Sequence, residues 1–217
     1  MRLESVNQGD VTIVEIHPGP SRIVDGREGE RLASALRALL QEGKKKILVD
    51  LGRISLMTSR PIGSLVGVQA HAFKRGAAIY LCNVDKRIQN VLVIMWLVRV
   101  LNVLGTRAEA LRFLSALDLQ LRPGCFEFHS PEVKDFTARL SYLWPNGDSP
   151  VSVNQGAAPS SGRAMVHVVD AGGAEIFAHS AADPGAFDGV TGRAGDWRIE
   201  LDLFEYSGKL DFEMHNV

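Results

Sequence analysis

Residues 47–83 read ILVDLGRISLMTSRPIGSLVGVQAHAFKRGAAIYLCN. Ile47 to Leu51 is a compact apolar run of strand length, suited to a sheet covered on at least one face. After a loop at Thr58 to Pro61, the residues Ile62, Leu65, Val66, Gln69, Ala70 and Phe73 share one face at helical spacing. Gly76 supplies the stop. Ala77 to Cys82 then reads as the next strand.

The same alternation extends outward in both directions. Upstream, Val11 to Ile16 and Ser21 to Val24 read as short strands punctuated by Pro18-Gly19-Pro20. Leu32, Leu36, Leu39 and Leu40 repeat as a helix that Gly43 ends. Downstream, Ile88, Val91, Leu92 and Met95 mark a third helix, Arg99 to Val103 a last strand and Ala108 to Leu117 a last helix. Strands alternating with helices predict a mixed sheet with helices packed on it, parallel where a helix joins two strands.

Beyond residue 118 the pattern changes. Residues 119–144 are expected to connect and pack back on the first domain. They would do so through a strand at Cys125 to Phe128 and a helix capped by Ser130 and opened by Pro131, with Val133, Phe136, Leu140 and Leu143 as its face. Residues 145–163 (PNGDSPVSVNQGAAPSSGR) are poor in large apolar groups and read as a flexible linker. Residues 164–217 then read as a small all-β antiparallel module. Met165 to Asp170 returns through Ala171-Gly172-Gly173 to Glu175–His179. The alternation of Trp197, Ile199, Leu201 and Leu203 meets that of Leu210, Phe212 and Met214 across a turn at Ser207-Gly208.

The 217 residues are 46% apolar and 23% charged with a formal net charge of −1, the composition of a globular chain with no electrostatic case for nucleic acid. Lys44-Lys45-Lys46, the one basic run, reads as a solvated turn. Met1 to Asp10 has no secretory character. The longest apolar run, Val91 to Val98, is too short to cross a bilayer and stops at Arg99, so no direct membrane insertion is expected. Cys82 and Cys125 form no CxxC pair, and neither a disulfide framework nor a metal site is indicated. The expected location is cytoplasmic.

With Asp50-Leu51 ending a strand, Ile62-Gly63 opening a helix and Arg75-Gly76 closing it, the first domain resembles the STAS family, the fold of bacterial anti-sigma factor antagonists, from Val11 to about Leu117. The resemblance implies a non-catalytic regulatory module, without a cofactor, that docks to a protein partner such as a kinase-type anti-sigma factor. It also implies a docking and regulatory loop at Thr58, Ser59, Arg60, Pro61, Ile62 and Gly63. In the family, a serine in this loop accepts a phosphate whose charge at a helix N-terminus controls docking. Here Arg60 stands at that position and cannot accept one. Ser59 or Thr58 could serve as a displaced acceptor, although Ser59 followed by Pro61 also has the local signature of a helix cap.

Two other functions fit the same features: a cytoplasmic STAS-type subunit of a membrane lipid-transport ATPase, and an enzyme with an unrecognised site. His17, His71, His129, His167, His179 and His215 show no helical i, i+4 metal pair. Asp50 and Asp85 read as strand-end caps, and Gly63-x-x-x-Gly67 as a seam for close helix packing. Trp197, Phe204 and Tyr206 read as core, with an aromatic binding face as the alternative.

Overall fold

The computed structural model describes residues 1–146, 150–181 and 183–217. The chain divides into two compact units, Met1–Ser115 and Ala116–Val217.

In the first unit, β1 (Arg2–Gln8), β2 (Val11–His17), β4 (Lys46–Asp50), β6 (Ala78–Cys82) and β7 (Asn102–Val103) lie side by side in that order. β1 pairs antiparallel with β2, and every later neighbour is parallel. The helices are α1 (Gly26–Gln41), α2 (Ser59–Phe73), α3 (Lys86–Ile94) and α4 (Arg107–Ala116). Leu32, Leu36 and Leu40 of α1, Leu65 and Val68 of α2 and Ile88 and Leu92 of α3 share a core with Val14, Ile47, Val49, Ile79 and Leu81 of the sheet. The alternate strand residues Ile13, Leu48 and Tyr80 are buried as well, so both faces of the sheet are covered, as the continuous apolar runs require. The expected mixed sheet with packed helices is the observed one.

Some details differ from the expectation. The polar start of the chain is a strand, held by the full register of β2 from Arg2↔His17 to Gln8↔Val11. Arg99 to Val103 is split into a 3₁₀ turn at Leu97–Arg99 and the two-residue β7. Lys46 is not solvated: its ammonium reaches Asp10 Oδ2 at 2.6 Å and the Leu114 carbonyl at 2.9 Å. Gly63 and Gly67 are not a packing seam, because a Cβ at either would meet nothing within 4 Å. The close approach of α1 and α2 occurs at Gly29, where a Cβ would lie 2.7 Å from the Pro61 Cα.

From Asp118 onward the described residues of the second unit form strands and the turns between them. β11 (Val151–Val169) and β14 (Gly195–Asn216) pair antiparallel along nearly their whole length, with register shifts between Pro159 and Arg163. On one side of that irregularity they carry β10 (Val133–Asn146) and β12 (Glu175–Ser180) as outer strands; on the other they carry β9 (Cys125–His129), β8 (Asp118–Arg122) and β13 (Gly185–Val190). The two long strands therefore run through both parts of one continuous sheet. Rings from both meet in one core, with Tyr142 of β10 5.8 Å from Phe126 and 6.0 Å from Phe128 of β9. At the bend, Gly162 has φ +79°, and any Cβ there would collide with the Glu205 carbonyl.

This architecture corrects five expectations. The stretch 145–163 is the end of β10 and the first two thirds of β11, with 147–149 outside the described residues. In its described part a Cβ at Gly162 would meet the Glu205 backbone, and pairing of residues 151–163 with β14 supplies the order that composition alone could not. No helix follows Ser130: β10 runs instead, burying Ala138, Leu140, Tyr142 and Trp144 at period two against β14. The buried Ser130 hydroxyl accepts the Leu210 N–H at 2.8 Å, so it ties β14 down and caps nothing. Residues 119–144 consequently belong to the second unit, and Ser207-Gly208 is a bulge within β14, with no hairpin there. Trp197 and Tyr206 are core as expected, whereas Phe204 is exposed under the Arg163 guanidinium.

Candidate functional site

The loop singled out in the sequence is launched by a small device. β3 (Ile23–Val24) and β5 (Leu56–Met57) pair in parallel, and each runs directly into a helix, α1 and α2. The Thr58 N–H donates to the Val24 carbonyl at 3.2 Å, which sets the two helix N-termini next to each other. Asp25 caps α1, accepting the Glu28 N–H at 3.0 Å, and that bond holds its carboxyl below the usual range. α2 has no such cap. Its N-cap is Thr58, one residue before Ser59, and no side-chain bond closes it. Ser59 is the first helical residue, so the N-cap position expected for it falls to Thr58, whose side chain makes no capping bond.

The six loop residues divide into anchors and contacts. Pro61 and Ile62 are buried, Pro61 against Gly29; Thr58, Ser59, Arg60 and Gly63 are exposed. Arg60 lies across the neighbouring helix start. Its Nε is 3.8 Å from Glu30 Oε1, and a Cβ at Gly26 would meet its Cδ at 2.8 Å. With its side chain 74% exposed, this pair is a weak tether, leaving a guanidinium over a shallow depression lined by Asp25, Glu28, Glu30 and Arg31.

Sequence reasoning missed two features of this unit. The first is a polar network at the carboxyl ends of the parallel strands. Asp50 Oδ1 accepts the Gly52 N–H at 2.9 Å and Asn83 Nδ2 at 3.0 Å, while Arg107 Nη1 sits 3.5 Å from Asp50 Oδ2 and 2.5 Å from Glu15 Oε1. The bond to Glu15 raises the Arg107 pKa, and the network pins α4 to β2 and β4. Cys82 behind it is fully buried, and burial pushes its thiol up to about 12, so it is inert as a nucleophile.

The second is the end of α3. Val93, Ile94, Met95 and Trp96 are consecutive and exposed, with Trp96 at 67% and in a left-handed backbone (φ 59°). Arg99 lies over the Trp96 ring at 5.3 Å. The sequence placed Ile88, Val91, Leu92 and Met95 on the third helix, whereas α3 ends at Ile94, buries only Ile88 and Leu92, and leaves Met95 exposed just beyond it. α3 touches β5, the strand that leads into the Thr58 loop.

No family profile matches the chain. Among solved structures, it is similar to a Thermotoga maritima protein described as a candidate anti-sigma factor antagonist, at 19% identity and a TM-score of 0.45 over 51% of this chain and 92% of that one. It is also similar to the Bacillus cell fate determinant SpoIIAA in its phosphorylated form, at 15% identity and a TM-score of 0.42 over 51% and 97%. A family 29 carbohydrate-binding module complexed with cellohexaose shares 10% identity at a TM-score of 0.27 over 46% and 75%.

Proposed function

We propose that the first unit is a non-catalytic regulatory docking module, anti-sigma factor antagonist-like, whose partner is a protein of the kinase-type anti-sigma factor class. The observation that carries this reading is the run of four exposed apolar residues, Val93 to Trp96, on an element that touches the strand feeding the Thr58 loop. Single exposed apolar groups are ordinary. A contiguous tip that ends in a tryptophan held at positive φ has the character of a binding surface, where buried aromatic anchors supply most of the affinity.

The contact surface comprises Thr58, Ser59, Arg60 and Gly63 together with this tip, with Pro61 and Ile62 holding the loop in place. Arg60 replaces the regulatory hydroxyl by a permanent cation, so docking is constitutive and favours a partner with acidic groups facing the loop.

The test pairs the full-length protein with a kinase-type anti-sigma factor. Trp96→Ala should weaken binding by about tenfold or more. Labelled ATP should leave the native chain unmodified and phosphorylate Arg60→Ser, with mass spectrometry locating the label. Unchanged affinity of Trp96→Ala removes the tip from the surface. Stoichiometric label on native Ser59 or Thr58 replaces the lost switch with a displaced one.

A further inference from the structure

The second unit contains two short segments of the same form, Cys125-Phe-Glu-Phe-His129 and Asp211-Phe-Glu-Met-His215. In each, the apolar residues point inward, where Phe126, Phe128, Phe212 and Met214 are all buried. Strand alternation then sends Cys125, Glu127 and His129 outward from β9, and Asp211, Glu213 and His215 outward from β14. The strands pair antiparallel with His215↔Cys125, Glu213↔Glu127 and Asp211↔His129. Six side chains able to hold a metal thus stand as three opposed pairs on one face.

Their distances are those of a ligand set. Cys125 Sγ is 3.3 Å from Glu127 Oε1, Glu127 Oε1 is 3.8 Å from His215 Nε2, and all three ligand atoms lie within 4.8 Å of one another. Tetrahedral zinc with bonds of ~2.0–2.3 Å needs its ligand atoms about 3.3–3.8 Å apart. Glu213 Oε2, 4.0 Å from His215 Nε2, is a further carboxylate beside this trio, outside the group of atoms within 4.8 Å of one another, and would reach the fourth position only by moving toward the ion.

Electrostatics point the same way. Glu127 and Glu213 are directly opposed at the centre of the pair, and like charges in that relation destabilise a sheet. The basic groups nearby are engaged at the two ends: Arg122 beside Cys125, and Lys209 on Asp211 at 3.3 Å. His129 is held by Asp211 at 3.0 Å and its Nε2 also lies 3.7 Å from Glu213 Oε1, while Asn154 donates to Glu213 at 3.3 Å. A divalent cation between Cys125, Glu127 and His215 neutralises the central opposition.

We propose that Cys125, Glu127 and His215, completed by Glu213, bind one zinc ion on the outer face of β9 and β14. A thiolate, an imidazole and carboxylates form a borderline donor set that suits zinc, whereas calcium and magnesium take oxygen ligands alone. The ion staples the two strands, so its binding energy adds to the stability of the second unit.

The experiment uses the full chain, stripped with a chelator and titrated with Zn2+ and, separately, Co2+. One equivalent should bind. Co2+ should give a thiolate charge-transfer band in the near ultraviolet and the visible bands of a tetrahedral centre, and Zn2+ should raise the thermal midpoint where equal Ca2+ or Mg2+ does not. Cys125→Ser should abolish the thiolate band, and His215→Ala should weaken Zn2+ binding by at least about tenfold. His129→Ala, outside the set, should keep both. A native chain with no thiolate band overturns the site without reference to any variant. Undiminished binding by Cys125→Ser or His215→Ala also overturns it, and loss of binding in His129→Ala moves the ion to His129, Asp211 and Glu213 and so refutes this ligand set.

Discussion

Gly29 offers the sharpest test of how the two helix starts are joined. An alanine in a helix is favoured over glycine by about 0.8–1 kcal/mol, so helix propensity alone makes Gly29→Ala stabilising. The structure reverses that sign. The added Cβ would lie 2.7 Å from both the Cα and Cβ of Pro61 and 2.8 Å from its Cγ, against ordinary carbon contacts of about 3.5–4.0 Å. Those atoms belong to a backbone and a rigid ring, so α1 and α2 must separate by nearly an ångström at the point where Pro61 anchors the Thr58 loop. Overpacking of this kind costs about 1–3 kcal/mol, and with several collisions at once the upper part of that range applies, leaving a net loss of about 1–2 kcal/mol. Gly63→Ala and Gly67→Ala on α2 meet nothing within 4 Å and should each gain up to about 1 kcal/mol. Urea unfolding followed by the helical far-ultraviolet signal, which among the described residues comes from α1 to α4 of the first unit, measures all three. A Gly29→Ala protein as stable as the native one, or more so, refutes the close approach of α1 to Pro61.

Three further outcomes follow from burial and backbone geometry. Leu65→Ala should destabilise the first unit by about 2–5 kcal/mol in the same assay, since Leu65 is buried in the shared core; a change within ~0.5 kcal/mol would put that face of α2 in solvent. A thiol reagent on the folded, metal-free chain should modify Cys125 and spare Cys82, mass spectrometry reading the site. Because folding raises the Cys82 pKa from 9.0 to about 12, its share of stability is whole below pH 9 and falls as pH rises through about 12, so Cys82 labelling at neutral pH by a still-folded chain would contradict its burial. Gly162→Ala combines a positive φ with a collision against the Glu205 carbonyl and should cost the second unit about 2–5 kcal/mol, read from its thermal midpoint; a near-native midpoint would mean that β11 and β14 do not share the described bend.

The first unit was legible because its signals are local. Apolar runs such as Ile47 to Leu51 and faces such as Ile62, Leu65 and Phe73 declare their element within a few residues, and the observed β4 and α2 agree with them. The second unit hides its order in partners distant in sequence. Val133, Phe136, Leu140 and Leu143 have helical spacing, yet Leu140, Tyr142 and Trp144 also have strand spacing, and Leu201, Ile199 and Trp197 across the sheet decide between them. Pro159 to Gly162 carried the same ambiguity: small residues at an irregularity between two paired backbones have the composition of a linker.

The candidate sites follow the same division. Thr58 to Gly63 could be found because a strand, a loop and a helix start lie within one short window, whereas the exposure of Val93 to Trp96 depends on where α3 stops. Helical i, i+4 spacing of histidines is the signature of a zinc pair on one turn of a helix, and no such pair occurs here. On a strand the relevant spacing is two, and an antiparallel partner runs the order backwards, which turns Cys-x-Glu-x-His and Asp-x-Glu-x-His into three opposed pairs. Neither segment declares a site alone, because each offers one face of a ligand set. Pairing creates it, and the pairing is fixed by Phe126, Phe128, Phe212 and Met214 on the inner face: slipping β9 by one residue would turn the aromatic rings to solvent and the glutamates into the core. The same apolar residues that build the core of the second unit therefore also hold the ligand residues in register.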